Sequence, residues 1–97
     1  MRLKIAFDVD GTLIYQDGHL ADTPRYEIIQ MYKTLQAQGH DMYVWSGGGM
    51  NYAGEWTHKL GLIATVIEKE EGQDIDLAFD DIAHPWEETL AKVVVRV

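Results

Sequence analysis

The sequence predicts an α/β fold, a doubly wound three-layer sandwich with helices on both faces of a central, mainly parallel five-stranded sheet. Short apolar segments rich in β-branched and aromatic residues alternate along the chain with amphipathic segments of helical period. Glycine closes each of the two longer helical segments, at Gly39 and Gly61. Because the chain has 97 residues, we expect one domain, residues 1–97, and no second one.

The N-terminal segment predicts a buried strand followed by a loop. Leu3 to Phe7 is short and nearly uncharged, which is typical of a buried strand, and Asp8 would be its last residue. The polar segment from Gly11 to Asp22 then predicts a loop or a small hairpin. Its turn is expected at Asp17-Gly18, a pair that favours tight turns.

The remaining elements follow from helix boundaries and apolar runs. Thr23 is a suitable N-cap and Pro24 a suitable first residue for a helix that ends before Gly39. The later predicted elements are a strand from Asp41 to Trp45, a helix from Asn51 to Leu60, a strand from Leu62 to Ile67, a strand from Ile75 to Phe79, a short helix from Pro85, and a last strand from Val93 to Val97.

Composition and charge exclude several classes of function. The formal charge of −8 and the scattered positions of the eight Lys and Arg residues argue against nonspecific nucleic-acid binding. No apolar run approaches the length of a membrane span or a signal peptide, which predicts no membrane partner and a cytoplasmic location. The absence of cysteine excludes disulfides, thiolate metal sites and cysteine nucleophiles. No apolar stripe exceeds what the core needs, so the oligomeric state stays open.

The segment "AFDVDGTL" ends an apolar run in two carboxylates, Asp8 and Asp10. These anions would repel each other unless something opposes their charge. Side chains at positions i and i+2 of an extended chain lie on the same side, so both carboxylates can converge on one object. We expect the two carboxylates to bind a divalent cation.

Polar residues stand at the carboxyl ends of four predicted strands. Doubly wound sheets bind ligands at this edge, so we expect these side chains to form one site. They are Asp8 and Asp10 after the first strand, Ser46 after the second, Lys69 after the third, and Asp80-Asp81 after the fourth.

With "DVDGT", Ser46 in "VWSGGG", Lys69 in "VIEKE" and "LAFDD" in this order, the chain resembles the phosphatase branch of the haloacid dehalogenase superfamily over nearly its whole length. The resemblance implies a Rossmann-like, minimal core of that family without a cap domain. It also implies a Mg²⁺-dependent phosphatase that hydrolyses phosphomonoesters through an aspartyl-phosphate intermediate. Mg²⁺ suits carboxylate and carbonyl oxygens.

The resemblance assigns roles to individual residues. Asp8 would be the nucleophile, Asp10 the general acid and base, and Lys69 a second positive charge beside the cation. The implied metal ligands are Asp8, the carbonyl of Asp10, and the acidic pair, with the choice between Asp80 and Asp81 left open. Phosphate oxygens would be bound by Thr12, Ser46, Gly47 and Gly48, where glycine allows close approach at a helix N-terminus.

The sequence leaves some alternative residues and functions open and argues against others. Lys59, late in the second helix, is a weaker alternative to Lys69. The glycine spacing of Gly49 to Gly54 matches a P-loop, but Glu55 stands where that loop requires lysine, and Tyr52 breaks the dinucleotide pattern. A receiver domain would carry its acidic pair first rather than last. A phosphotransferase and a noncatalytic phosphate- or metal-binding module of the same fold remain open.

The chain has no room for a cap at either usual insertion point. Only Gly11 to Asp22 separates the first motif from the first helix, and only Glu70 to Ile75 separates Lys69 from the fourth strand. By resemblance, the site would be open, which goes with macromolecular phosphorylated substrates or with a lid from a neighbouring subunit. Tyr15 and His19 lie in the loop after the first motif, where they could contact such a substrate.

Overall fold

The fold is a parallel sheet with two helices, as described by a computed structural model for residues 1–81 and 89–97. The elements of this part of the chain are β1 (Lys4–Asp8), α1 (Tyr26–Ala37), β2 (Asp41–Trp45), α2 (Met50–Lys59), β3 (Thr65–Val66), β4 (Ile75–Asp80) and β5 (Ala91–Arg96). The sheet has the order β3-β2-β1-β4-β5, and all neighbouring strands are parallel. The predicted α/β class and five-stranded sheet are confirmed.

The central position of β1 sets the location of the site. Its register pairs Asp8 with Trp45 of β2 and Phe7 with Phe79 of β4. Because the three strands are parallel, their carboxyl ends lie at the same edge of the sheet. Asp8, Ser46 and Asp80 therefore stand side by side where the strand order changes direction, which is where open α/β sheets bind ligands.

Helices α1 and α2 pack on the same face of the sheet. Phe7 of β1 contacts Tyr32 of α1 edge-on, with ring centroids 5.1 Å apart, and stacks on Phe79 of β4 at 4.5 Å. On the opposite face of the sheet, a smaller apolar cluster contains Ala6, Trp45, Ile75, Ala78 and Leu90. The short helix predicted from Pro85 begins within residues 82–88, outside the described residues, and its predicted last residues, Ala91 and Lys92, belong to β5. None of the helices in the described ranges is long and apolar enough to cross a membrane.

The prediction of where α1 begins was wrong. The helix starts at Tyr26 with Arg25 at its N-cap, rather than at Pro24 after Thr23. Thr23 instead donates its hydroxyl to the carbonyl of Leu20 at 2.5 Å, and Pro24 forms an isolated antiparallel bridge with Ile14. These contacts hold the segment extended, because Pro24 pairs with the loop after β1 before the helix begins.

Strand boundaries differ most at the edges of the sheet. The third strand is limited to Thr65–Val66, shorter than the predicted Leu62 to Ile67, and among the described strands it pairs with β2 alone. The last strand, Ala91–Arg96, begins earlier than predicted. Gly39 and Gly61 follow α1 and α2 with φ values of 89° and 66°, which confirms their roles in ending the helices.

The loop between β1 and α1 is compact. The carbonyl of Val9 accepts the backbone N–H groups of Thr12, Leu13 and Ile14 at 3.2, 3.0 and 3.2 Å. Further along, Tyr15 pairs with the segment before α1, and the predicted turn at Asp17-Gly18 opens a 3₁₀ turn, Gly18–Leu20. The carboxyl end of β1 is therefore fixed by its own backbone.

Candidate active site

Asp8 and Asp80 meet at the carboxyl ends of the two adjacent strands β1 and β4. Lys69 reaches them from the connection between β3 and β4, with its Nζ donating to Asp8 Oδ1 at 3.2 Å and to Asp80 Oδ2 at 2.7 Å. All three side chains are at least nine-tenths buried. A buried ammonium group thus bridges two buried carboxylates, and charge-assisted hydrogen bonds of this kind are stronger than neutral ones.

Asp81 completes a group of three carboxylates. Asp8, Asp80 and Asp81 each offer one oxygen, and these oxygens all lie within 4.8 Å of one another. Among the described residues, the buried Oδ1 of Asp81 has no hydrogen-bond partner. A buried acceptor without a partner is costly, which is consistent with a ligand at this position.

The charges of the cluster do not balance among the described residues. Three carboxylates face one ammonium group, so two negative charges remain when all are ionised. Burial and the neighbouring Asp80 raise the pKa of Asp8 to about 8, although Lys69 opposes the shift. Burial and a hydrogen bond with Asp80 also raise the pKa of Asp81. The site has the charge, the oxygen donors and the spacing to take a divalent cation.

Gly11 allows Asp81 to join this cluster. Its φ of 77° lies in the left-handed region, and a Cβ placed there would lie 1.9 Å from Asp81 Oδ2. Arg25, at the N-cap of α1, donates its Nη1 to the Gly11 carbonyl at 2.7 Å and lies 5.7 Å from the ring centroid of Tyr15. The Gly11 backbone therefore packs against a cluster carboxylate on one side and is held by Arg25 on the other.

Ser46 lies at the end of β2 and organises the glycine loop after it. The side chain is buried, and its Oγ accepts the backbone N–H of Gly48 at 3.0 Å. Gly49, with φ 99°, then forms the N-cap of α2. The Ser46 hydroxyl hydrogen remains for another acceptor, and the exposed Gly47 and Gly48 stand at the start of a helix, where anions are favoured.

Thr12 is fully buried beneath the first loop. Its Oγ1 has no hydrogen-bond partner among the described residues. Its backbone N–H donates to the Val9 carbonyl, so it is part of the turn that fixes Asp8 and Asp10.

Asp10 lies in the loop beyond β1, but its carboxylate is not part of the three-carboxylate group. Its Oδ1 instead accepts the hydroxyl of Tyr52, in the first turn of α2, at 2.5 Å. Burial and this hydrogen bond raise the pKa of Tyr52 to about 12, so the phenol remains protonated near neutral pH and keeps acting as a donor. The two aspartates of the first motif thus occupy different environments.

A family model of haloacid dehalogenase-like hydrolases matches residues 5–93. This chain belongs to the haloacid dehalogenase-like hydrolases. Comparison with curated proteins and with solved structures gave no significant match. The matched range contains all of the predicted site residues, and it confirms the family that the sequence motifs predicted.

In this haloacid dehalogenase-like hydrolase, four predicted residues form one contiguous cluster: Asp8, Lys69, Asp80 and Asp81. Lys59, the weaker alternative for the cationic role, lies near the end of α2 with its Nζ 4.8 Å from the ring centroid of Trp56. Lys69 is therefore the lysine that contacts the acids. His19 is an exposed residue of the 3₁₀ turn, and the chemical roles of all these residues remain predictions.

Sequence reasoning missed two residues that hold the site of this hydrolase together. Tyr52 was considered only as a residue that breaks a dinucleotide motif, yet it binds Asp10. Arg25 was not considered, yet it binds the Gly11 carbonyl. Each is the polar residue that its helix brings to the first loop, but a helical pattern does not say which residue will do so.

Proposed function

We propose that this hydrolase is a Mg²⁺-dependent phosphatase that cleaves phosphomonoesters through an aspartyl-phosphate on Asp8. The observation that carries the proposal is the buried Lys69 bridge between Asp8 and Asp80, beside a third carboxylate at the carboxyl edge of the sheet. Family membership supports hydrolase chemistry of this type. A purely structural acidic cluster would not require so much buried negative charge.

The donor set fits Mg²⁺. The residues that would hold it are Asp8, Asp80 and Asp81 through their carboxylates and Asp10 through its backbone carbonyl, all of which offer hard oxygen ligands. When bound, the cation would neutralise charge on the phosphoryl group and on the attacking carboxylate. Asp81 Oδ1 has no hydrogen-bond partner in the part of the chain that the structure describes, and the pKa of Asp8 is raised, and both observations support a bound cation at this position.

The first step is nucleophilic attack by Asp8. A carboxylate oxygen of Asp8 forms a bond to phosphorus while the bond from phosphorus to the ester oxygen breaks. Asp10, in its protonated form, gives its proton to the departing oxygen. Lys69 supports the reaction because its ammonium group favours the ionised, nucleophilic form of Asp8 and offsets charge on the phosphoryl group.

The second step hydrolyses the aspartyl-phosphate and restores the free carboxylate of Asp8. Asp10, now ionised, takes a proton from a water molecule as that water attacks phosphorus, and the bond between phosphorus and Asp8 breaks to give inorganic phosphate. The Ser46 hydroxyl and the amides at the start of α2 would bind phosphate oxygens in both steps, since Ser46 is buried at the same edge as Asp8.

We also propose that the substrate is a phosphorylated macromolecule, or that a neighbouring subunit covers the site. Among the described connections, residues 9–25, 46–49 and 67–74 adjoin the site, and none of them forms a separate domain. An open site accepts a phosphate group presented on a large surface. The formal charge of −8 favours a phosphoprotein over a polyanionic nucleic acid.

The test is hydrolysis of p-nitrophenyl phosphate with Mg²⁺ or with EDTA. We expect Mg²⁺-dependent release that is lost in Asp8→Asn and retained in Asp41→Asn, a matched change at the amino end of β2 where Asp41 pairs with Arg2. Hydrolysis that persists in EDTA or in Asp8→Asn would contradict the proposal. Binding of Mg²⁺ and beryllium fluoride without turnover would indicate a noncatalytic module, and turnover that requires an added alcohol would indicate a phosphotransferase.

A further inference from the structure

We propose that Tyr52 is a positioning residue, whose hydroxyl holds the Asp10 carboxylate beside the glycine loop and away from the metal-binding carboxylates. The inference rests on the proposed function, because the position matters only if Asp10 transfers a proton to the substrate. No sequence motif assigned this role to Tyr52.

The contact joins two elements that are distant in sequence. Tyr52 lies in the first turn of α2, and its hydroxyl donates to Asp10 Oδ1 at 2.5 Å across 42 residues of chain. Asp10 belongs to the tightly turned loop after β1, whose backbone is fixed by the Val9 carbonyl. With the backbone fixed, the hydroxyl of Tyr52 determines which rotamer the Asp10 side chain adopts.

The separation of Asp10 from Asp8 makes this rotamer important. Asp8 lies among the three carboxylates with Lys69, whereas the carboxylate of Asp10 is outside that group. A proton donor must come within about 3 Å of the leaving oxygen, and a displacement of roughly 1 Å can cost up to about 100-fold in rate. If Asp10 turned toward the bound cation, it would become a further ligand instead of a proton donor. The hydroxyl of Tyr52 opposes that turn.

The ring of Tyr52 also packs against the predicted phosphate-binding loop. A Cβ placed on Gly48 would lie 3.2 Å from Tyr52 Cδ2 and 3.4 Å from Ser46 Oγ. Because Gly48 has no side chain, the ring of Tyr52 can pack in this space. Through this packing, the loop that would bind phosphate and the residue that would deliver the proton are held in a fixed relation.

Tyr52→Phe tests the proposal because it removes only the hydroxyl. Glycerol phosphate has a poor leaving group that needs a proton, whereas p-nitrophenyl phosphate has a good one that does not. We expect the rate of phosphoenzyme formation from glycerol phosphate, measured by rapid quench, to fall about 10-fold, and the burst rate of p-nitrophenolate release to fall less than about 2-fold. The comparison is made on the first step because hydrolysis of the phosphoenzyme, in which Asp10 acts as the base, is common to both esters. Tyr26→Phe, the same change at an exposed position of α1, is the matched control and should alter neither rate.

The outcomes separate positioning from a structural role. An equal loss in the rate of phosphoenzyme formation from both esters, or no loss with either, would overturn the proposal. In an Asp10→Asn background, Tyr52→Phe should cause no further loss on glycerol phosphate, and an additional 10-fold loss would also overturn it.

Crystal structures of the wild type and of Tyr52→Phe provide a readout that does not need activity. We expect the Asp10 carboxylate to leave its wild-type position in the variant, and an unchanged position would overturn the inference. If the wild type hydrolyses neither ester while Asp10 moves in the variant, the proposed function fails and the positioning contact stands.

Discussion

Lys69 offsets part of the negative charge at the carboxyl edge of the sheet. Its ammonium group is buried and contacts both Asp8 and Asp80. Removing one partner of a buried ion pair leaves the other charges uncompensated and costs more than an exposed pair contributes. The stability of the metal-free protein should therefore depend on Lys69 at a pH where Asp8 is ionised.

The first prediction compares Lys69→Met with Lys59→Met. In EDTA at a pH above the Asp8 pKa of about 8, we expect Lys69→Met to lower the free energy of unfolding by about 3 kcal/mol, measured by urea denaturation. Lys59 lies against the Trp56 ring, a contact that contributes about 1 kcal/mol or less, so Lys59→Met should change little. Equal stabilities for the two variants would contradict the role of Lys69.

The sequence predicted the acidic residues and the lysine but not the residues that orient them. Asp8, Ser46 and Asp80 follow apolar runs, so the strand pattern alone brings them to one edge. Tyr52 binds Asp10 across 42 residues and Arg25 binds Gly11 across 14. These contacts depend on how each helix is rotated against the loop after β1, and a periodic pattern gives the buried face rather than the residue that reaches a given atom.

At the scale of elements, the loop after β1 must approach β4 without a side chain in the way. Gly11 has a φ of 77°, and its Cα lies against the Asp81 carboxylate. Gly18, in the same loop, has a nearly identical φ of 78°, and no described residue lies within 4 Å of an added Cβ. A substitution at Gly18 therefore causes backbone strain alone, whereas the same substitution at Gly11 causes backbone strain and a clash with Asp81.

The second prediction uses these two positions. Gly11→Ala and Gly18→Ala should each lose about 1 kcal/mol of stability, because alanine is strained in the left-handed region. Only Gly11→Ala should also displace Asp81, and we expect it to weaken Mg²⁺ binding, measured by calorimetry, about 10-fold or more. Equal Mg²⁺ affinities in the two variants would contradict the assigned contact between Gly11 and Asp81.

Element boundaries were predictable where local pattern and tertiary pairing agree. β2 matches its predicted bounds, Asp41 to Trp45, because it is paired on both sides and strongly apolar. The start of α1 was mispredicted because Thr23 and Pro24, which are good helix starters locally, instead contact Leu20 and Ile14. Pairing that involves residues outside the helix overrode the capping pattern.

At the scale of the whole molecule, the site links stability to pH and to the metal. The raised pKa of Asp8 means that the folded protein keeps a proton that the unfolded chain has already released. The free energy of unfolding of the metal-free protein should therefore fall as the pH rises from the ordinary carboxyl range to about 8. The raised pKa of Asp81 acts in the same direction.

The third prediction follows from competition between protons and Mg²⁺ for these oxygens. The increase in Tm on adding Mg²⁺ should be larger at about pH 8 than at about pH 6, because fewer protons must be displaced. Thermal unfolding in Mg²⁺ and in EDTA measures it, with Asp8→Asn as the variant that should flatten the pH dependence. A larger increase at about pH 6 would contradict the account.

The most direct test of the central claim is to detect the phosphoryl group on Asp8. Asp10→Asn should still react with p-nitrophenyl phosphate, whose leaving group needs no proton, but should be slow to activate water and so accumulate the intermediate. We predict that acid quenching and peptide mapping by mass spectrometry will find a phosphorylated Asp8, absent when Asp8→Asn is added. Rapid turnover with no phosphoryl group on Asp8, retained in Asp8→Asn, would contradict the account.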